Sequence, residues 1–236
     1  MLSRLRDVRF LSIADLTREL AVSHMTVRRD LQLLEASGHV RIVHGGVVLV
    51  RTGLSEPAFE AAGDAQGRTR IGVRAAEMVG DTDAVAVDAG ATPYEVARAL
   101  PTTFQGTVIT HSVPVIQLLA ERRGPPRLVA LGGELLPERQ AFVGPATLDA
   151  AAQLRARTLF LSVAAIDPRG MYSCSVAEAS VQRRLMDIAD HVVLLAGHAT
   201  FGGSAPALLG ALDRLTAVVT DRLPPRSIAG ALSLFQ

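Results

Sequence analysis

The sequence predicts a two-part α/β protein: a winged helix-turn-helix over residues 1–50 and a parallel α/β sheet domain over residues 69–236, joined by a linker at 51–68. Three observations predict it. Between residues 12 and 46, two helical patterns with a two-residue break are followed by a β-branched run and a Gly-Gly pair. From Thr69 onward helical stretches alternate with short apolar runs, the pattern of an open parallel sheet covered on both faces. Between the two, Arg51 to about Arg68 mixes Gly, Ser, Pro, Ala and charges without sustained periodicity.

Ser12-Ile-Ala-Asp15 opens the first helix, a hydroxyl cap with an acid three residues on, and Ile13, Leu16 and Leu20 share one stripe. After Ala21 and Val22, Ser23-His-Met-Thr26 starts a second helix whose buried stripe is Val27, Leu31 and Leu34. Met25, Arg28, Arg29 and Gln32 then face outward. Gly38 is placed to end this helix. His39 to His44 reads as a strand, Gly45-Gly46 as a two-residue turn, and Val47 to Val50 as the returning strand. An α-helix fits the major groove of DNA, and its first turn brings Ser, Thr and Arg to phosphates and base edges together. Candidate contacts are Ser23, His24, Thr26, Arg28, Arg29 and Gln32, with Arg41 and His44 on the wing.

In the second domain the expected strands are Ala84–Val87, Val108–Ile109, Leu128–Leu131, Leu159–Val163, Val192–Ala196 and Ala217–Val219. Helices are expected over about 70–79, 93–100, 113–122, 145–155 and 176–189. Polar residues follow the strands: Asp88-Ala-Gly90-Ala-Thr92, Thr110-His111-Ser112, Gly132-Gly133, Gly197-His198-Ala-Thr200 and Thr220-Asp221. In a parallel sheet these points share the carboxyl edge, where ligands bind. A small polar ligand is implied.

Gly90-Ala-Thr92-Pro93 reads as a helix start whose free N–H groups suit a phosphate or carboxylate, or as an ordinary turn capped by Thr92. Ser175-x-x-Glu178 is a capping box that accounts for Glu178 without a ligand, so both roles stay open. His111 and His198 stand singly at strand ends, as ligand contacts or as surface residues, and neither has metal-ligand spacing. Asp221 reads as the cap of the turn that follows it. No metal and no cofactor is expected.

Net charge is +1, and residues 1–50 hold seven arginines against five acids, so affinity for DNA has to come from placement and from self-association. All 24 basic residues are arginine; lysine is absent, which excludes a P-loop lysine, a Schiff-base lysine and a lysine general base. The single cysteine, Cys174, reads as a buried or half-buried filler. No run of about 18 apolar residues occurs and Met1-Leu-Ser-Arg-Leu-Arg-Asp7 lacks the apolar core of a signal peptide, so no membrane association and a cytoplasmic location are expected.

Ser23-His-Met-Thr-Val-Arg-Arg-Asp30-Leu31, then Leu34-Glu35 and Arg41-Ile-Val-His44-Gly-Gly46, resembles the N-terminal domain of the DeoR family of bacterial transcription regulators. Asp88-Ala-Gly90-Ala-Thr92, Leu131-Gly-Gly133, Phe142-Val-Gly144, Glu178-Ala179, Phe201-Gly202 and Val219-Thr-Asp221 resemble its effector domain. The resemblance implies a repressor of sugar or nucleoside metabolism genes, acting as a dimer or tetramer on operator double-stranded DNA. It also implies a Rossmann-like effector domain similar to sugar-phosphate isomerases, binding a phosphorylated sugar. Asp88, Gly90, Thr92, Gly132, Gly133 and Glu178 become the implied contacts, with Thr110 and Thr200 added from their strand ends. Departures are Gly197 and Thr200 where the family usually has aspartate and lysine, Ala91 for the first threonine of Gly-Thr-Thr, and Gln182 for a lysine. The alternative is an isomerase-like enzyme with a DNA-binding appendage, in which Asp88 or Glu178 would be the base; no lysine is available to steady the charge it creates.

Overall fold

The computed structural model describes residues 11–20, 22–36, 40–43, 46–49, 65–122, 124 and 126–229, and the chain divides into two units, Met1–Ser55 and Glu56–Gln236. In the first, β1 (Leu11–Ser12), α1 (Ile13–Leu20), α2 (His24–Ala36), β2 (Val40–Val43) and β3 (Gly46–Leu49) follow in order. Both helix starts are capped as the sequence requires: Asp15 N–H donates to Ser12 Oγ at 3.0 Å and Thr26 N–H to Ser23 Oγ at 3.2 Å. Leu16, Val27 and Leu31 form the buried stripe together with Val47 of the wing. The wing pairs Val43 with Gly46, so the connecting residues are 44 and 45, and Gly46 belongs to the strand rather than to the turn. The short β1, which the sequence did not announce, adds to β3 through Leu11 and Ser12. Gly38 lies outside the described residues.

The second unit is an α/β sandwich. Its helices are α3 (Ala65–Ala76), α4 (Ala91–Ala99), α5 (Val113–Ala120), α6 (Pro145–Ala152), α7 (Val176–Asp187) and α8 (Arg226–Ala229). Six parallel strands make the main sheet: β4 (Ala84–Val87), β5 (Thr107–Thr110), β6 (Arg127–Ala130), β9 (Ala156–Ser162), β12 (Ala189–Ala196) and β14 (Ala217–Thr220). Each expected strand is present. The first helix starts earlier than expected, so residues 65–68, read as linker, are helical, while 51–64 lie outside the described residues.

The strand order is β14-β12-β9-β4-β5-β6, so the chain runs outward from β4 in one direction and then returns to β4's other side with β9. That reversal leaves a crevice at the carboxyl ends of β4 and β9. Alternate strand residues fill two cores. Val85, Val87, Val108, Phe160 and Val193 pack with Ile71, Val96 and Val115 on the face of α3–α5. Ala86, Ile109, Leu159, Leu161 and Leu194 pack with Ala151, Val181 and Leu185 on the face of α6 and α7. Two antiparallel features had no counterpart in the sequence reading: a hairpin of β7 (Glu134–Leu136) and β8 (Ala141–Val143), and a three-stranded sheet of β10 (Ala165–Asp167), β11 (Gly170–Ser173) and β13 (Ala207–Gly210).

Candidate DNA interface and effector site

In α2 the buried Val27 and Leu31 fix which side of the helix turns away from the core. Ser23, His24, Met25, Thr26, Arg29 and Gln32 are all exposed, Met25 at 76%. Ser23 and Thr26 also share a hydroxyl hydrogen bond of 2.9 Å, which holds the first turn rigid at the point where it would meet a phosphate. The backbones of Arg28 and Arg41 lie in α2 and β2, their side chains lie outside the described ones, and His44 lies outside the described residues. Among the residues described, the sequence-selected face is thus a single exposed surface.

The effector-domain residues divide into a sealed floor and a rim. Asp88, immediately past β4, is fully buried and its carboxylate accepts from four donors: Ala89 N–H (2.8 Å) and His111 Nε2 (2.9 Å) on Oδ1, Ser162 N–H (3.1 Å) and Gln182 Nε2 (2.9 Å) on Oδ2. Four is the complement of a carboxylate. The expectation that Asp88 touches a ligand is therefore corrected: it ties β4, β5, β9 and α7 together. His111, also fully buried, faces Asp88 through Nε2 and the Phe142 carbonyl through Nδ1 at 2.8 Å. Both neighbours are acceptors, an arrangement that favours hydrogen on both ring nitrogens and so the charged ring. Burial opposes that charge, but the hydrogen bond and charge of Asp88, the Phe142 carbonyl and the Glu178 charge together raise its pKa above the ordinary histidine value. His111 is neither a ligand contact nor a surface residue.

Gln182 completes the floor by donating to Ser162 O at 2.8 Å as well as to Asp88, while accepting from Ser173 Oγ. A glutamine thus fills, with neutral donors, the position where the sequence comparison expected a lysine. Thr110 is likewise internal, donating to Val87 O at 2.7 Å and accepting from Ser112 N–H at 3.1 Å, which corrects its assignment as a contact.

The rim is where hydrogen-bonding capacity remains. Gly90, at φ 137, precedes α4 in a conformation that favours glycine; no side chain caps the helix, Pro93 has no N–H, and the first intrahelical bond runs from Tyr94 N to Gly90 O at 3.1 Å. The Ala91 and Thr92 amides therefore stand outside the helix's own ladder. Ser175 caps α7 by accepting from Glu178 N–H at 3.2 Å, but the Glu178 carboxylate does not return to the cap. Its Oε1 accepts from Arg139 Nε at 2.9 Å and forms an ion pair with Nη2 at 2.9 Å, and its Oε2 is buried with no partner. Burial raises the Glu178 pKa against the pull of Arg139, and the Asp88 charge adds to the rise. A buried acceptor without a donor costs about 1–3 kcal/mol, so something else is expected to complete it. Ser112 Oγ is a second buried oxygen in the same state.

Arg139 reaches this point on the turn between β7 and β8, next to Gln140 at φ 48. The turn is pinned to the β5 edge by Val113 N–H to Gln140 O (2.9 Å) and Phe142 N–H to His111 O (2.9 Å). Sequence reading missed Arg139 altogether and left Ser112 and Gln182 without a role; only the unbroken Arg in an otherwise turn-like Pro-Glu-Arg-Gln could have hinted at it. Gly132 and Gly133 are exposed before the hairpin; Thr147 Oγ1 bonds Gly132 O at 2.8 Å. Thr200 ends a short 3-10 turn, half-buried, and Asp221 caps that turn by accepting from His198 N–H at 2.9 Å rather than capping the segment after it. Cys174 is exposed, not a filler. Among the described residues there is no cluster of histidine, cysteine, aspartate and glutamate able to hold a metal, and no helix long and apolar enough to cross a membrane.

A winged helix-turn-helix on one unit and a ligand crevice at a strand-order reversal on the other define a DNA-binding regulator with a sensor domain. Residues 1–52 match the DeoR-like helix-turn-helix domain and residues 64–222 the DeoR C terminal sensor domain. The chain belongs to the DeoR family. It is 31% identical to the transcriptional repressor AccR of Agrobacterium fabrum over 92% of this chain and 85% of that protein. It is 29% identical to the glycerol-3-phosphate regulon repressor of Escherichia coli over 95% and 89% of the two chains. Among solved structures, a probable sor operon regulator from Shigella flexneri shares 13% identity over 73% of this chain and 90% of that one, with a TM-score of 0.46. Ribose 5-phosphate isomerase A from Methanocaldococcus jannaschii shares 13% over 57% and 53%, with a TM-score of 0.41. The family and its named relatives are transcriptional regulators rather than enzymes.

Proposed function

We propose that the protein is a cytoplasmic repressor that binds operator DNA as a homo-oligomer and is modulated by a phosphorylated sugar or small polyol. DNA contacts come from Ser23, His24, Thr26, Arg28, Arg29 and Gln32 of α2, with Arg41 and His44 on the wing. The observation that carries the reading is the exposed, capped first turn of α2 standing opposite its buried Val27 and Leu31. A two-fold oligomer would present paired α2 helices to half-sites about 34 Å or a multiple of that apart. The effector goes to the carboxyl edge of the sheet, where the uncapped start of α4 at Gly90–Thr92 and the rim residues Glu178, Gly132, Gly133 and Thr200 stand. The glycerol-3-phosphate regulon repressor among the relatives fits an effector of this class.

The test is an electrophoretic shift assay on the intergenic DNA upstream of the gene, with and without glycerol 3-phosphate, ribose 5-phosphate and glucose 6-phosphate. A retarded complex that one of the esters alters is expected. Arg29→Ala should weaken binding by about 1–3 kcal/mol at one base position if it reads a base, or lower the salt slope by about one if it holds a phosphate. Undiminished binding by the Arg28→Ala, Arg29→Ala double variant would refute the assignment of α2.

A further inference from the structure

We infer that Arg139 is the side-chain cation of the effector site, and that Glu178 holds it in the unliganded protein as an internal stand-in for the effector's own oxyanion. The inference rests on the effector-site reading above and adds its recognition chemistry. Three observations combine. Glu178 is a carboxylate whose side chain is 2% exposed, whereas the Arg139 side chain paired with it is 28% exposed, so solvent reaches the arginine side of the pair and not the carboxylate side. Nε and Nη2 of Arg139 both lie 2.9 Å from Oε1, and Oε2 is buried without a partner, as is Ser112 Oγ on the loop after β5. The remaining charged groups that act on Glu178 are already committed, His111 to Asp88 and Phe142, and Asp88 to its four donors.

Arg139 is the most exposed charged group of this cluster, since Asp88, His111 and Glu178 are all buried, and it stands on the turn between β7 and β8 beside Gln140 at φ 48. An effector oxyanion, phosphate or carboxylate, takes the planar guanidinium in place of Oε1. The two freed oxygens of Glu178 and the Ser112 hydroxyl then receive the hydroxyl groups on the neighbouring carbons. The ligand class so selected is an oxyanion carried on a hydroxylated carbon chain; an anion without hydroxyls leaves Glu178 unpartnered, and a neutral polyol fails to displace it.

The test uses the full chain and inorganic phosphate as the probe, at constant ionic strength, followed by thermal unfolding and calorimetry. Arg139→Gln should weaken phosphate binding roughly tenfold or more, the usual loss when a charge-assisted bond is removed. Glu178→Gln should strengthen it, because the competing charge is gone while the shape is kept. If Arg139→Gln misfolds, judged by Tyr94 and Tyr172 fluorescence, Arg139→Lys keeps the charge and should retain phosphate binding. Equal binding by all three chains would mean that phosphate sits elsewhere, and overturns the inference. So does weakening by both glutamine variants alike, as a purely structural pair would show, or binding by neither wild type nor Glu178→Gln. Arginine-dependent phosphate binding together with sugar phosphates that bind no better than phosphate itself would keep Arg139 as the cation for the oxyanion, overturn the assignment of Glu178 and Ser112 to the effector's hydroxyls, and refute the sugar-phosphate effector.

Discussion

Asp88→Asn separates a ligand-binding aspartate from a structural one. In the wild type all four bonds to the carboxylate come from donors: two backbone amides, the His111 ring nitrogen and a side-chain amide. Asparagine offers one oxygen and one NH2 group. Whichever way the amide is turned, about half of those donors meet a donor instead, and reversing Gln182 only transfers the conflict to Ser162 O. Two buried donors left without acceptors cost about 1–3 kcal/mol each, so the loss should be about 2–6 kcal/mol, a large share of a domain stability of about 5–15 kcal/mol. The assay is urea unfolding followed by tyrosine fluorescence. The chain has no tryptophan, and its two tyrosines, Tyr94 and Tyr172, lie in α4 and β11, so the signal reports the sensor domain alone. The expected result is a lower midpoint at unchanged slope. A variant within about 0.5 kcal/mol of wild type that lost its effector response would refute the argument, because Asp88 would then be acting on a ligand and not on its neighbours.

Two further outcomes follow from the same floor and rim. His111 has a raised pKa in the folded chain, so the stability that its charged form contributes is complete below the ordinary histidine range and is lost as pH rises through the raised value. Glu178, also raised, shifts stability the same way, with the loss beginning above the ordinary glutamate range. Urea midpoints of the sensor domain measured from pH 5 to 9 should decline, and His111→Gln should flatten the upper part of that decline. Gly133→Ala would place a Cβ 2.1 Å from Thr147 Oγ1 and 2.6 Å from Val143 O at φ 152, so the hairpin that carries Arg139 must shift. A loss of about 1–3 kcal/mol is expected, and effector binding should weaken beyond it; an unchanged melting temperature would show that the hairpin is free to move.

The main sheet was legible because each of its strands is a β-branched or apolar run between helical patterns, and those runs carry their own signal. The hairpin at Glu134–Val143 was not, since its three-residue strands expose Glu134 and Leu135 and show no alternation; it forms because Phe142 and Gln140 bond to the β5 edge. The α2 face was legible for a simple reason: Val27 and Leu31 are four apart on the buried side, which leaves Thr26, Arg29, Asp30 and Gln32 exposed. The effector site was only half legible. A polar residue past a strand end reads as a ligand contact, yet Asp88, Thr110 and His111 bond to groups 23 to 94 positions away in sequence, and no spacing announces such pairs. Arg139 and Glu178 are 39 apart for the same reason invisible to each other.

The polar groups at this sheet edge lack the freedom that isomerase chemistry needs. A general base must give and take a proton at a substrate carbon, within hydrogen-bond reach and with a lone pair available. Asp88 has none available, because its four donors fix it as an acceptor. Glu178 has one open oxygen, but its partner is a guanidinium that stabilises the ionised form without being able to shuttle a proton. What remains is a set of groups suited to recognition: uncapped amides at the start of α4, one exchangeable arginine, and two buried oxygens in want of hydroxyls. Binding alone is enough for a sensor, since an effector that prefers one arrangement of the rim by ~1–3 kcal/mol changes operator occupancy severalfold or more. The substitution of Gln182 for a cation works in the same direction, trading charge at the floor for a neutral lock and leaving the strength of effector binding to Arg139.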